Sequence, residues 1–260
     1  MNLNNYYLIH IQFLGYRFHG WQKQPNLKTV HLMIDRTINY VFDGDNKFKT
    51  LGTGRTDAMV SATDTAFELF TDKPLINLLE FQDLINKNFP QDIRALSIEK
   101  VSKEFNIINS PKLKEYKYLF SEGIKNHPYC APFITTFLDD LDINIMKDGA
   151  KLFEGKHNLK SYCYKPNDNG LFEREINYCR ISTNETLKAS FFPKISYELT
   201  VVGKGFMRNQ IRLMMGVLVE LGRGEVDLKY IEDSLIEYNP TINYIAPASG
   251  LRLNKVTFTT

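Results

Sequence analysis

Cysteine is scarce in this sequence. Cys130, Cys163 and Cys179 are the only three in 260 residues, and they are widely spaced. Such a pattern suits reduced thiols in a cytosolic chain better than a disulfide framework. Long apolar runs are absent too, and nothing approaches the roughly 18 residues that a membrane span needs. The opening stretch MNLNNYYLIHIQF has no basic head, and His10 and Gln12 interrupt its apolar segment. It therefore reads as a strand rather than a secretory signal. Together these absences predict a cytoplasmic chain. An excess of one charge is also lacking: 32 Lys and Arg face 30 Asp and Glu, a formal net charge of +2. The total neither demands nor excludes a polyanionic partner, so any electrostatic signal lies in where the charges sit. His10, His19, His31, His127 and His157 show no HExxH spacing, and no CxxC occurs, so no metal is expected. The phosphate-loop pattern GxxxxGK[ST] is missing, as is GxSxG. No bound nucleotide and no acyl-enzyme serine are expected.

What is present is ordinary globular material, 43% hydrophobic and 24% charged, long enough for one large domain or two small ones. Tyr6–Phe13 alternates as a strand, and Tyr16–Asn26 is an aromatic-rich loop. Thr29 precedes a helical pattern through Phe42, with Val30, Met33, Ile34, Ile38 and Val41 on one face. Lys47–Leu51 and Thr65–Phe70 read as strands, Leu75–Asn88 as a helix and Ile93–Val101 as a strand. In the second half Lys114–Phe120 alternates with Tyr116, Tyr118 and Phe120 on one face. A helix over Ile145–Phe153, strands at Glu175–Ser182 and Ile195–Val202, and helices at Met207–Leu221 and Asp227–Tyr238 follow. Leu251–Phe258 closes the chain as a strand. Strands mixed with covering helices predict an α+β fold in two halves, 1–105 and 106–260, with a cleft between them.

Several stretches could carry chemistry. In LGTGRTDAMVSA, Leu51–Ala62, two glycines shape a turn and Asp57 follows at once; the acid either bonds the turn or acts as a catalytic carboxylate. The helix from Met207 is apolar nearly all round and so buried, yet it contains Arg212. That guanidinium either pairs with a carboxylate distant in sequence or snorkels to the surface. From Gly203 to Val219 the chain holds Lys204, Arg208 and Arg212 and no carboxylate. Arg17, Lys23 and Lys28 flank the aromatic loop, and Lys112, Lys114 and Lys117 surround the tyrosine strand. Cations interleaved with Tyr16, Phe18, Trp21 and Tyr116 suit an RNA groove, where phosphates need cations and unstacked bases need flat partners. The competing reading is solvated charge around core aromatics, and it holds for Tyr118 and Phe120. The acids of DDLD, Asp139–Asp142, admit a glycoside hydrolase with paired carboxylates, although acidic tetrads are commonly solvated loops.

These residues resemble the TruA family of tRNA pseudouridine synthases. GRTDAMVSA is similar to the family's GRTDAGVHA signature, FHGWQKQPNLKTV to its HGWQxQP segment and PQDIRA to its PxDIR. KEYKYLF is similar to RxYxY, GKGFMRNQIRLMMGVLVELGRGE to the family's F…(V/I)Rx(M/I)xG helix, and APASGLRL to its APxxGLxL close. The matches run in the family's order through almost the whole chain. The resemblance implies two related α+β halves, each a mostly antiparallel sheet with helices on one face, flanking a basic catalytic cleft. It implies that Asp57 is the catalytic aspartate, that Arg212 pairs with it, and that Tyr116 packs on the target base and helps remove the C5 proton. Arg55 would hold the space left by the extruded nucleotide. With Tyr116, the residues Arg55, Trp21, Arg208 and Lys204 are the expected substrate contacts. The implied substrate is uridine on the 3′ side of the tRNA anticodon stem-loop, with no metal, nucleotide or other cofactor, in a homodimer that shares the tRNA.

The sequence departs from the family pattern at Met59 and Ser61, where Gly and His are usual, and at Leu14-Gly15 in place of Asp-Gly. Ile108 replaces the Arg of FxxRFS. These changes line the approach to Asp57, so a synthase acting on another RNA, or a weakly catalytic RNA-binding or chaperone relative, is the alternative.

Overall fold

Alternation in YYLIHIQF makes Asn5–Phe13 a strand, β1, that buries Tyr7, Ile9, Ile11 and Phe13. The structure, a computed structural model, describes residues 3–110, 112–167 and 169–258. Chain contacts divide it into two compact units. One runs up to Lys112 and resumes at Leu253; the other is Leu113–Arg252.

The first unit continues through α1 (Val30–Phe42), β2 (Phe48–Gly52), β3 (Ser61–Thr71), α2 (Leu78–Asn88) and β4 (Ile93–Lys100). β1 lies between β3 and β4, antiparallel to both, with Ile9 opposite Phe67 and Ile98, and β2 pairs with β3. Thr29 caps α1 by accepting the Leu32 N–H at 3.4 Å. The sequence places the next helix from Leu75, but it begins at Leu78. The Asn77 side chain accepts the N–H groups of Leu79 and Glu80, and the Leu75 N–H donates to the Tyr7 hydroxyl at 2.8 Å. β3 is longer than Thr65–Phe70, because its ladder with β1 runs on to Ala62 opposite Phe13.

Both faces of this sheet are covered. α1 and α2 bury Ile34, Ile38, Phe42, Phe81 and Ile85, and the Phe42 and Phe81 rings stack at 5.4 Å. The opposite parity, Leu8 and Ala66, packs with Ile107, Phe105 and Val101. Glu68 shares that parity and is buried; its Oε2 accepts the Ile107 N–H at 3.2 Å, and burial raises its carboxyl pKa.

The second unit holds β5 (Lys112–Glu122), β6 (Thr135–Phe137), α3 (Ile143–Leu152), β7 (Gly155–Asn158), β8 (Glu173–Thr183), β9 (Tyr197–Gly203), α4 (Gln210–Gly222) and α5 (Leu228–Ile236). Its antiparallel order is β5-β9-β8-β7, with β6 parallel to β5. The short strands β6 and β7 go beyond the sequence expectation, because three or four residues carry too little alternation to read. The last strand, β10 (Leu251–Phe258), belongs from Leu253 onward to the first unit beside β3, where Phe258 meets Phe105 edge-on at 5.4 Å. The fold is α+β, as the mixture of elements predicts.

α4 is the buried helix that its composition requires: Ile211, Leu213, Met214, Met215, Val217, Leu218, Val219 and Leu221 are all inside. The acids of DDLD have structural work. Asp142 caps α3 through the N–H groups of Asn144 and Ile145, at 2.9 and 3.1 Å. Asp139 accepts the Arg223 guanidinium at 2.6 and 2.9 Å. That leaves a glycosidase reading without its carboxylate pair.

Candidate active site

The loop that carries Asp57 joins β2 to β3 and is tied down on both sides by backbone bonds. Before Asp57, the Thr56 carbonyl accepts the Trp21 N–H at 3.1 Å. After it, the Met59 N–H donates to the Phe18 carbonyl at 3.1 Å, and the Ser61 hydroxyl accepts the Gly15 N–H at 2.9 Å. Gly20 makes the first tie possible. It has φ +84°, and a Cβ there would lie 2.6 Å from the Thr56 oxygen. Asp57 opens a turn that closes through the Val60 N–H on its own carbonyl at 3.2 Å. The aromatic loop is therefore a brace for the acidic loop. Ser61, a departure from the family pattern, is one of its fastenings.

Met59 pays locally for this turn. Its φ is +67°, a left-handed conformation that favours glycine and costs an L side chain about 1–2 kcal/mol. Replacing Met59 by Gly removes that strain and adds a smaller unfolded-state entropy cost of about 0.4–1 kcal/mol. The net expectation is a gain of about 0.5–1 kcal/mol, read as a higher melting temperature. An unchanged or lower one would show that the Met59 side chain contributes packing that outweighs the strain.

In the second unit, Tyr116 sits on β5 opposite Val201, only 8% exposed, and its ring meets Phe206 edge-on at 5.2 Å and 85°. Such a contact fixes the ring plane. Arg212 lies in the first turn of α4. Its Nε donates to the Ala246 carbonyl at 2.7 Å, while its own carbonyl accepts the Ala246 N–H at 3.1 Å. A further guanidinium N–H reaches the Asn209 side chain at 3.4 Å. This reciprocal pair latches the segment before β10 onto the helix and sets the direction of the guanidinium. Tyr118, two residues from Tyr116 on the same face, is wholly buried and donates to the Pro247 carbonyl at 2.8 Å. Burial pushes its hydroxyl pKa up, and nearby Arg212 partly opposes that. Tyr118 is core, as read from the sequence.

Several expected RNA contacts have other occupations. Trp21 is 4% exposed, stacked on His31 at 5.6 Å and packed over Gly52, where a Cβ would fall 2.4 Å from the indole. It braces the loop and offers no face to a base, which corrects the sequence expectation. Arg17 pairs with Asp92 at 2.7 Å, and Lys23 with Asp35. Lys112 donates to the Ile107 and Ile108 carbonyls, both at 2.7 Å. Lys117 binds buried Glu198 at 2.6 Å, with Arg252 on the other carboxylate oxygen. Arg55, Lys204 and Arg208 are exposed. Among the described residues no group of His, Cys, Asp and Glu could hold a metal ion, and no helix is long and apolar enough to cross a membrane.

Residues 150–259 match a family model described as tRNA pseudouridine synthase. A tRNA pseudouridine synthase A of Aquifex aeolicus is 29% identical over 252 residues, covering 96% of this chain and 98% of that protein. Its counterpart in Mesoplasma florum is 29% identical, covering 97% and 98%, and a tRNA pseudouridine synthase A 2 of Bacillus cereus is 28% identical, covering 98% and 100%. The chain is thus similar to tRNA pseudouridine synthases A over nearly its whole length, and its second half matches the family model. The Asp57 loop is braced, the Tyr116 ring fixed and Arg212 latched, each by backbone or ring contacts within its own unit.

Proposed function

We propose that this protein converts uridine to pseudouridine in tRNA, at uridine on the 3′ side of the anticodon stem-loop, with Asp57 as the catalytic carboxylate. The observation that carries the reading is an acid at the head of a turn fastened on both sides, inside the GRTDAMVSA stretch of a chain similar to tRNA pseudouridine synthases A. In the reaction the N1–C1′ bond breaks, the uracil turns, and a C5–C1′ bond forms. The C5 proton leaves and N1 takes one up, so atoms and electrons balance with no cofactor. In this reading Asp57 acts on the ribose side of the breaking bond, and Arg212 supplies the cation that pairs with it. Tyr116 packs on the base and assists removal of the C5 proton. Extruding a nucleotide costs a few kcal/mol, and stacking on one aromatic ring returns about 1–3 kcal/mol of it. Arg55 fills the vacated space, and Arg208 and Lys204 contact RNA. The protein would work as a cytoplasmic homodimer.

The test is tritium release from unmodified tRNA labelled at C5 of uridine. The expected result is stoichiometric release, with the number of equivalents per tRNA giving the number of positions served. Release from ribosomal RNA but not from tRNA would move the substrate to another RNA, an outcome for which the Met59 and Ser61 departures leave room. Release from neither would overturn the reading.

A further inference from the structure

Two exposed cations converge on one half-buried tyrosine on the second unit. The Arg208 guanidinium carbon lies 4.9 Å from the centroid of the Tyr164 ring, and the Lys165 ammonium 5.4 Å from it. The backbone builds this meeting. The Tyr164 N–H donates to the Arg208 carbonyl at 3.1 Å, which joins the loop after Tyr162 to the segment that enters α4. Both flanks then adopt left-handed conformations, Lys165 at φ +50° and Asn209 at φ +56°. Asn and Asp tolerate that region because their short polar side chains can bond locally, and Asn26 and Asp43 also adopt it, but lysine has no such compensation. The chain thus accepts strain at Lys165 to bring a second cation to the ring.

Within the protein alone the arrangement gains little. Each exposed cation over a ring contributes about 0.5–1 kcal/mol, while two like charges held at one ring repel each other. Neither Lys165 nor Arg208 has a carboxylate within ion-pair distance among the described residues. Glu175, on the neighbouring β8, faces Lys204 at 3.7 Å. The positive field extends further: Arg174 and Arg208 both act on the adjacent Cys163 thiol, opposing the rise that burial imposes on it. A polyanion at this corner would replace repulsion by charge-assisted bonds, with the planar guanidinium suited to phosphate oxygens.

We propose that Tyr164, Lys165 and Arg208 form a clamp for the phosphate backbone of the RNA, with the ring orienting both cations toward it. This rests on RNA being the substrate, but it concerns binding, away from the chemistry at Asp57. Both cations already crowd the ring, so the ligand is the phosphodiester and not a stacked base.

The measurement is the affinity of full-length protein for unmodified tRNA between about 50 and 200 mM salt. Lys165→Gln and Arg208→Gln should each weaken binding roughly three- to tenfold and lower the slope of log affinity against log salt by about 1, and the double variant by about 2. Tyr164→Phe should bind like the parent, because the ring and not the hydroxyl orients the cations. Lys165→Gly separates binding from structure: relief of strain should leave it at least as stable to heat as the parent, while it still binds more weakly. An unchanged slope in the double variant would overturn the clamp while leaving the substrate reading intact. A parent protein with no salt-linked affinity for tRNA would overturn both.

Discussion

Asp57→Asn should abolish tritium release, by at least about a thousandfold, equivalent to about 4 kcal/mol of transition-state stabilisation. The expectation follows from the separation of scaffold and reagent in the loop. The main-chain fastenings on either side of Asp57 use other atoms: the Thr56 carbonyl, the Met59 N–H, the Ser61 hydroxyl and the Asp57 main-chain carbonyl. The amide has the size and shape of the acid and leaves these bonds in place. Stability and tRNA affinity should therefore stay within about twofold of the parent, and only the reaction, which needs a negative oxygen at the breaking glycosidic bond, should be lost. Measured together, thermal unfolding, tRNA binding and tritium release make the outcome decisive. Full activity in Asp57→Asn would remove Asp57 from the chemistry whatever the family. A collapsed fold would mean instead that the side chain itself holds the turn, the structural alternative that the sequence leaves open.

Gly216→Ala carries the second large effect, and it acts on stability first. Gly216 lies in the buried middle of α4, where a Cβ would stand 1.9 Å from the Tyr244 carbonyl oxygen, a contact with backbone that no rotamer relieves. Either the helix or the 244–246 segment must move. Overpacking of this kind costs about 1–3 kcal/mol, and a main-chain obstacle places this case at the upper end. A loss of about 3 kcal/mol corresponds to a fall of roughly 6–12 °C in melting temperature for a unit of this size. Displacement of the segment also pulls on the reciprocal bonds between Arg212 and Ala246, two residues beyond Tyr244. Activity measured well below the new melting temperature should therefore fall as well. A variant that is destabilised but fully active would show that the direction of Arg212 does not depend on this latch.

Much of the fold was legible because its signals are local. Thr29 ahead of a 3.6-residue pattern marks α1, alternation marks β1 and β5, and an unbroken apolar surface marks α4 as buried. The misplaced start of α2 has an equally specific cause: Leu75 bonds to the distant Tyr7 hydroxyl and not to a first helical turn. The cations were the hardest to read. Lys117 next to Tyr116 looks like a groove-lining residue until Glu198, 81 positions away, is found against it. Trp21 looks like a stacking platform until Gly52 is seen to make room for it in the core.

The sequence by itself determined the α+β class, the buried arginine helix and the resemblance that singles out Asp57, because periodicity, caps and contiguous motifs are properties of neighbouring residues. Only the tertiary structure decided which charges are already engaged, that Met59 sits strained beside Asp57, that the closing strand returns to the first unit, and that Lys165 and Arg208 share one ring. A charge's partner, a backbone angle and a strand's neighbour depend on residues brought together from far along the chain, and no local pattern encodes that meeting.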